Sequence, residues 1–266
     1  MKPILYIVLL AGLASTFAAC HTTQSDPPVL DRQQYTLGSP NPCDTTTNTG
    51  VDVSVSYIQL KDDTEGARKI NDSLRLLAVN SVVNWLDSAT IASHPDVHSN
   101  LEKAASLFAK DYEVMRKDMG SLGGCWELET SADTVHVSPR ALTVRVETRA
   151  YTGGAHPNSN LSFYTFDRET GRTLTLNDMI ADTTALLGVL ESAFRQQQHL
   201  LPQTSLEEQG YFLRDGHFFL PANIGTSREG LVFYYNPYEI AAYAVGPIQV
   251  TVPYEKLNGI LRDDWQ

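Results

Sequence analysis

A chain of 266 residues with 42% hydrophobic and 19% charged residues can bury an ordinary globular core, in one large domain or two small ones, which excludes disorder over most of its length. Its formal net charge is −11, and −12 once residues 1–19, whose only charged side chain is Lys2, are set aside. Nucleic acid, which demands a basic face, is thereby disfavoured; a cationic partner suits the charge, and so does plain solubility.

Lys2 precedes an apolar run from Ile4 to Leu13, and small residues then lead to Phe17-Ala18-Ala19-Cys20. The run is shorter than the roughly 20 residues that span a bilayer, so residues 1–19 read as a signal peptide. The pattern is similar to a bacterial lipoprotein signal, and that resemblance implies lipidation of Cys20, a membrane anchor and a place in the cell envelope, facing periplasm or exterior; an uncleaved anchor and simple secretion are the alternatives. With Cys20 assigned to lipid, Cys43 and Cys125 remain as one pair that an exported protein can oxidise. A disulfide between them would stabilise by roughly 2 to 4 kcal/mol; two buried free thiols are the alternative.

Residues 20–48 are rich in Thr, Pro, Gln and Asp without apolar periodicity, and read as a flexible tether. Val51 to Tyr57 alternates as a strand does. Ile70, Leu74, Leu77, Ala78, Val82 and Trp85 then recur at helical spacing, as do Leu101, Ala104, Ala105, Phe108, Tyr112 and Met115. Period two returns from Cys125 through Val137 and again over 141–151, with Ser138-Pro139-Arg140 as the turn between two antiparallel strands.

Between this last strand and the alternating Leu161 to Phe166 lies Tyr151-Thr152-Gly153-Gly154-Ala155-His156-Pro157-Asn158. Adjacent glycines permit positive φ and Pro157 biases His156 toward extended backbone, so a shaped loop is expected. Asp167 to Gly171 reads as a hairpin turn, Asp182 as the cap of a helix carrying Leu186, Leu190 and Phe194, and Ser205-Leu206-Glu207-Glu208 as a capping box opening a short helix. Strands are expected around Phe218-Phe219-Leu220, from Leu231 to Tyr235 and from Ile248 to Tyr254, with a terminal helix over 255–261.

The loop motif, followed by Phe166 to Gly171 and Leu176-Asn177-Asp178-Met179, then Gly230 to Ala241 and Val250 to Tyr254, resembles the DUF3298 family, often found beside a DUF4163 segment. Pattern and resemblance together give an α+β fold: antiparallel sheets with helices packed on one face, in two tightly associated subdomains, DUF4163-like over 49–149 and DUF3298-like over 150–266. A similar domain in an anti-sigma factor senses lysozyme by binding it, and other relatives adjoin cell-wall modifying domains. What the resemblance implies here is recognition of a cell-wall glycan or of a lysozyme-like cationic protein.

Chemistry is sparse in the residues themselves. His94-Pro95-Asp96-Val97-His98 has a spacing that could join two imidazoles on a metal, but it reads as a loop between helices, and no metal or cofactor is expected. His156 has no obvious nucleophile for a partner; it reads as a structural histidine or as a ligand contact, ahead of catalysis. Among Phe233, Tyr234, Tyr235, Tyr238 and Tyr243, alternation puts Phe233 and Tyr235 on one strand face and Tyr234 on the other, and at least half of the cluster is expected in the core. A binding surface of Tyr151, Thr152, Gly153, Gly154, His156, Asn158, Tyr235, Asn236 and Tyr238 is therefore expected, on a membrane-tethered extracytoplasmic module with no catalytic residues. The alternatives are a cell-envelope glycan hydrolase or deacetylase using His156 with a carboxylate such as Asp167, and a structural lipoprotein that binds another membrane protein.

Overall fold

The computed structural model describes residues 27–37, 42–44, 46–119 and 124–265. Residues 1–19, read above as a signal peptide, and Cys20 lie outside them. The fold is α+β: a six-stranded sheet in the order β1 to β6, and a three-stranded antiparallel sheet of β7, β8 and β9.

The large sheet begins where a tether was expected. β1 (Leu30–Thr36) pairs antiparallel with β2 (Val51–Leu60). As an edge strand it meets the core only through Leu30 and Tyr35, with polar residues elsewhere. Its sequence therefore lacks the apolar alternation of a half-buried strand.

Two long helices follow, α1 (Glu65–Val83) and α3 (Leu101–Met119), with the short α2 (Ser88–Ser93) between them. Thr64 caps α1 by accepting a hydrogen bond from the Ala67 N–H at 3.1 Å. Their apolar stripes, including Val79, Val82, Phe108 and Tyr112, pack on Val51, Val53 and Val55. This helical excursion carries the chain from the Leu60 end of β2 back to the end of the sheet at which β2 began. β3 (Trp126–Val137) consequently runs parallel to β2, a departure from the all-antiparallel arrangement expected. Cys43 and Cys125, just ahead of these two strands, form a disulfide.

β4 (Ala141–Tyr151), β5 (Asn158–Asp167) and β6 (Thr173–Leu174) complete the sheet as antiparallel neighbours. The division expected at 149/150 thus falls inside β4, and hydrogen bonds run across it. A second tie is steric. A Cβ on Gly66, at the start of α1, would lie 2.3 Å from the Arg168 carbonyl oxygen; one on Gly171, whose φ is +71°, would lie 2.6 Å from the Gly66 carbonyl oxygen. Only glycines let the helix end and the β5–β6 turn approach this closely.

Both faces of β4 are covered. Leu142, Val144 and Val146 join Ile70 and Leu74 of α1, while Thr143 points the other way, toward the small sheet. That sheet comprises β7 (Asn223–Thr226), β8 (Gly230–Tyr235) and β9 (Ile248–Pro253). In the seam between the sheets, the Thr143 hydroxyl lies 2.9 Å from that of Thr165 and 2.6 Å from that of Thr226, all three side chains being at most 2% exposed. The outer face of the small sheet, with Leu231, Phe233, Tyr235, Val250 and Val252, is covered by Leu186, Leu190 and Phe194 of α5 (Thr183–Gln197), capped by Asp182 as expected.

Three local expectations give way to packing. Ser205 accepts a hydrogen bond from the Glu208 N–H, but the segment closes as turns, not as a helix. The box that forms is at the short α4 (Leu176–Met179), where Asp178 accepts from both the Thr175 N–H and its hydroxyl. Phe218 and Phe219 pack against Phe194 and Tyr235 without strand pairing, which shifts to Asn223–Thr226. Beyond β9, Leu257, Ile260 and Leu261 are buried from a 3₁₀ turn and loop in place of a terminal helix.

Replacing Cys43 and Cys125 together by Ser should lower unfolding free energy by roughly 2 to 5 kcal/mol, given the 82-residue separation, in oxidising denaturant titrations. Thr143→Val should cost about 1–3 kcal/mol, because it leaves the Thr165 and Thr226 hydroxyls without their shared partner in a dry seam. An unchanged midpoint for Thr143→Val would show that the triad contributes nothing net.

Candidate functional site

The link from β4 to β5 is shaped as its glycines imply, with φ of +91° at Gly153 and +108° at Gly154. Tyr151 donates its hydroxyl to the Gly154 carbonyl at 3.0 Å, bracing the turn. His156 Nδ1 lies 3.0 Å from the Pro157 carbonyl oxygen, which also accepts the Tyr243 hydroxyl at 3.0 Å. A carbonyl can only accept, so this contact places the imidazole proton on Nδ1 and leaves Nε2 as the acceptor. Tyr238 presents its hydroxyl 3.5 Å from Nε2, and the His156 ring stacks on Tyr243 at 3.8 Å between centroids.

Tyr238 is 57% exposed and has φ +69°, an uncommon setting for a residue with a Cβ. The turn around it is held by the Asn236 carbonyl, which accepts from the Glu239 N–H, and by the Glu239 carboxylate, which accepts from the Asn236 and Ala222 amides. Asn236 itself acts as a latch. Its side chain accepts from the Leu161 N–H at 2.8 Å and donates to the Leu161 carbonyl at 2.9 Å, copying a strand pair across the gap between the two sheets.

Of the nine expected contact residues, His156 and Tyr238 come together beside Tyr243, while Tyr151, Thr152, Gly153 and Gly154 belong to the turn that holds them. Asn158 opens β5, exposed and paired with Ala150. Tyr235 is misplaced in that expectation: it is 0% exposed, donates to the Phe219 carbonyl at 2.7 Å, and burial raises its phenol far above the ordinary value. Strand alternation commits it to the face under α5. Asn236 lines the site, but its amide is fully engaged with Leu161.

An open cleft of about 320 Å³ adjoins this cluster where the two sheets part, lined among others by Glu147, Asn160, Tyr234, Asn236, Tyr243 and Gly246. Glu147 comes from β4, Asn160 from β5 and Tyr234 from β8, so neither sheet alone would make it. Burial, then the Glu147 carboxylate, raises the Tyr234 phenol, against the opposing charge of Arg145. Tyr234 and Tyr243 stood in the aromatic run, and alternation already set Tyr234 opposite Tyr235; Glu147 and Asn160 carried no sequence signal.

The arrangement offers aromatic surface, an amide and a carboxylate in an open cleft, a set suited to a hydroxylated ring. Acid–base catalysis by His156 with Asp167 does not fit. The two lie at opposite ends of β5, about 30 Å apart, and Asp167 accepts from the Thr170 N–H and hydroxyl in its own turn. His94 and His98 are directed to the Thr90 carbonyl and the Asn80 side chain respectively, and no group of metal-binding side chains occurs among the described residues.

Residues 176–255 match the model of the DUF3298 family, described as a protein of unknown function. A crystal structure of a DUF3298 family member from Bacteroides fragilis superposes with a TM-score of 0.66 at 21% identity, covering 89% of this chain and 95% of that one. Another, from Pseudomonas aeruginosa, gives 0.60 at 17% identity over 90% and 97%. The fold is thus shared well beyond the matched segment. Among curated proteins, the immunogenic proteins MPT64 of Mycobacterium tuberculosis and MPB64 of Mycobacterium bovis are 27% identical over 142 residues, 50% of this chain. The match spans 58% of the length of those relatives. The family match is confined to residues 176–255, the solved structures share the fold, and these matches assign the chain no activity.

Asn236→Ala should cost about 1–3 kcal/mol by stranding the Leu161 amide and carbonyl. Amide hydrogen exchange at Leu161 should accelerate by more than the global change in stability. Exchange that merely tracks global unfolding would show that the latch is not a local constraint.

Proposed function

We propose that this protein is a membrane-tethered extracytoplasmic binding module that receives a cell-wall glycan in the cleft between its two sheets, held to the membrane by lipid on Cys20. The observation that carries this reading is the convergence of Glu147 from the large sheet, Tyr234 from the small one and Tyr243 from the turn ahead of β9 on one open cleft. Sugars are bound by aromatic faces that stack on their C–H surfaces and by side chains that accept their hydroxyls, and both are present. The address is supported by the leader-like residues 2–20 and by the Cys43–Cys125 disulfide, a bond characteristic of oxidising compartments. No helix among the described residues is long and apolar enough to cross a membrane.

The full chain in mild detergent, mixed with insoluble peptidoglycan at low and high salt, should sediment with it, and Tyr234→Ala or Tyr243→Ala should weaken retention about tenfold or more while the protein stays folded by circular dichroism. A parallel arm with immobilised lysozyme tests the protein-partner reading. Salt-sensitive lysozyme binding without retention on peptidoglycan would replace the glycan reading by an electrostatic protein interface.

A further inference from the structure

A second hollow lies beyond Tyr234. On a strand, residues i and i+2 share a face about 7 Å apart, and each strand lining the cleft gives its next same-face residue to this hollow of about 370 Å³. β4 passes from Glu147 to Arg145, β5 from Leu161 to Phe163, and β8 from Tyr234 to Val232. The Phe163 and Tyr234 rings meet edge-on at the boundary, with centroids 6.3 Å apart and planes at 84°. The two hollows thus lie side by side along one gap between the sheets, which we call the trough, with the Phe163–Tyr234 contact between them.

Their charge differs. The first is lined by the Glu147 carboxylate; the second is lined by Arg145 and Arg228 together with Glu229, leaving it one net positive charge in a chain of net charge −11. Neither guanidinium makes an ion pair or hydrogen bond among the described residues. Eight other arginines, from Arg32 to Arg195, are each ion-paired with a carboxylate. Arg228 also acts on His136, which is held below its ordinary value by burial first and by this arginine second, so the imidazole is neutral at pH 7 and the two guanidiniums supply the cationic charge. Two unpartnered guanidiniums in one hollow present the planar donor forks that fit a carboxylate or phosphate. The chain's overall charge repels anions, so attraction must come from this local pair.

We propose that the trough takes an acidic saccharide. Its hydroxylated ring lies in the first hollow beside Tyr234 and Tyr243, and its carboxylate or phosphate substituent, about 7 Å further along, lies between Arg145 and Arg228. This rests on the glycan reading of the first hollow and narrows it to acidic sugars.

Calorimetric titration of the full chain in detergent would use trigalacturonic acid, the same trisaccharide with its carboxyls reduced to alcohols, and inorganic phosphate. The acidic sugar should bind at least about tenfold more tightly than the neutral one, with the margin narrowing as salt rises. Arg145→Gln and Arg228→Gln should each remove most of that margin and leave neutral-sugar affinity unchanged, while Arg145→Lys should restore part of it. Equal affinity for the two sugars, or a margin that survives both Gln substitutions, overturns the acidic preference and leaves the glycan reading standing. If neither sugar binds, both fall. Phosphate binding as tightly as the acidic sugar would detach the arginine hollow from saccharide recognition and overturn the proposal.

Discussion

The dry seam between the two sheets is the constraint on which the rest of the structure depends. Thr143, Thr165 and Thr226 come from β4, β5 and β7, and their hydroxyls have only one another for partners in a region closed to water. Three apolar side chains would tolerate small slides of one sheet over the other. Three hydroxyls that must remain within hydrogen-bond reach do not, because a displaced hydroxyl here would be buried without a partner. Gly225, the neighbour of Thr226, adds a steric condition: a Cβ there would stand 2.8 Å from the Phe163 ring. The small sheet therefore sits at one position on the large one.

Twisted sheets pack closely over only a limited area and splay at the margins. A seam fixed at Thr143 has a predictable margin, since the next same-face residues of β4 are Arg145 and Glu147, and the trough opens there. Asn236 closes the far side by supplying the hydrogen bonds that a further strand residue would have made to Leu161. The result is a recess whose walls belong to different sheets and whose width is set by hydrogen bonds. Recognition by such a site loses little conformational entropy on binding.

The legible parts of the sequence were those with one buried face. α1, α3 and α5, β2 to β5, β8 and β9 all followed from period, as did the turn at Ser138-Pro139-Arg140 and the cap at Asp182. β1 was hidden because it is an edge strand with polar residues on most positions, and the parallel pairing of β2 with β3 because period reveals a strand but not its direction. The same limit governs the site. The loop around His156 could be seen from its glycines and Pro157, and Tyr238 from its neighbours, but the cleft exists only through pairing in three dimensions. Glu147 on an exposed strand position resembles any solvated carboxylate until β8 is laid across from it.

Hydrogen bonding within the site also limits what a ligand can be offered. Asn236 has both amide functions turned to Leu161, and Tyr243 has its hydroxyl on Pro157 and one ring face under His156. Asn160 donates its amide N–H to the Ser162 hydroxyl, on the strand face opposite Glu147. In the first hollow the Glu147 carboxylate accepts and the Tyr234 hydroxyl can donate or accept, beside aromatic surface, with cationic donors further along at Arg145 and Arg228. A molecule suited to that sequence of groups presents hydroxyls first and an anionic oxygen next.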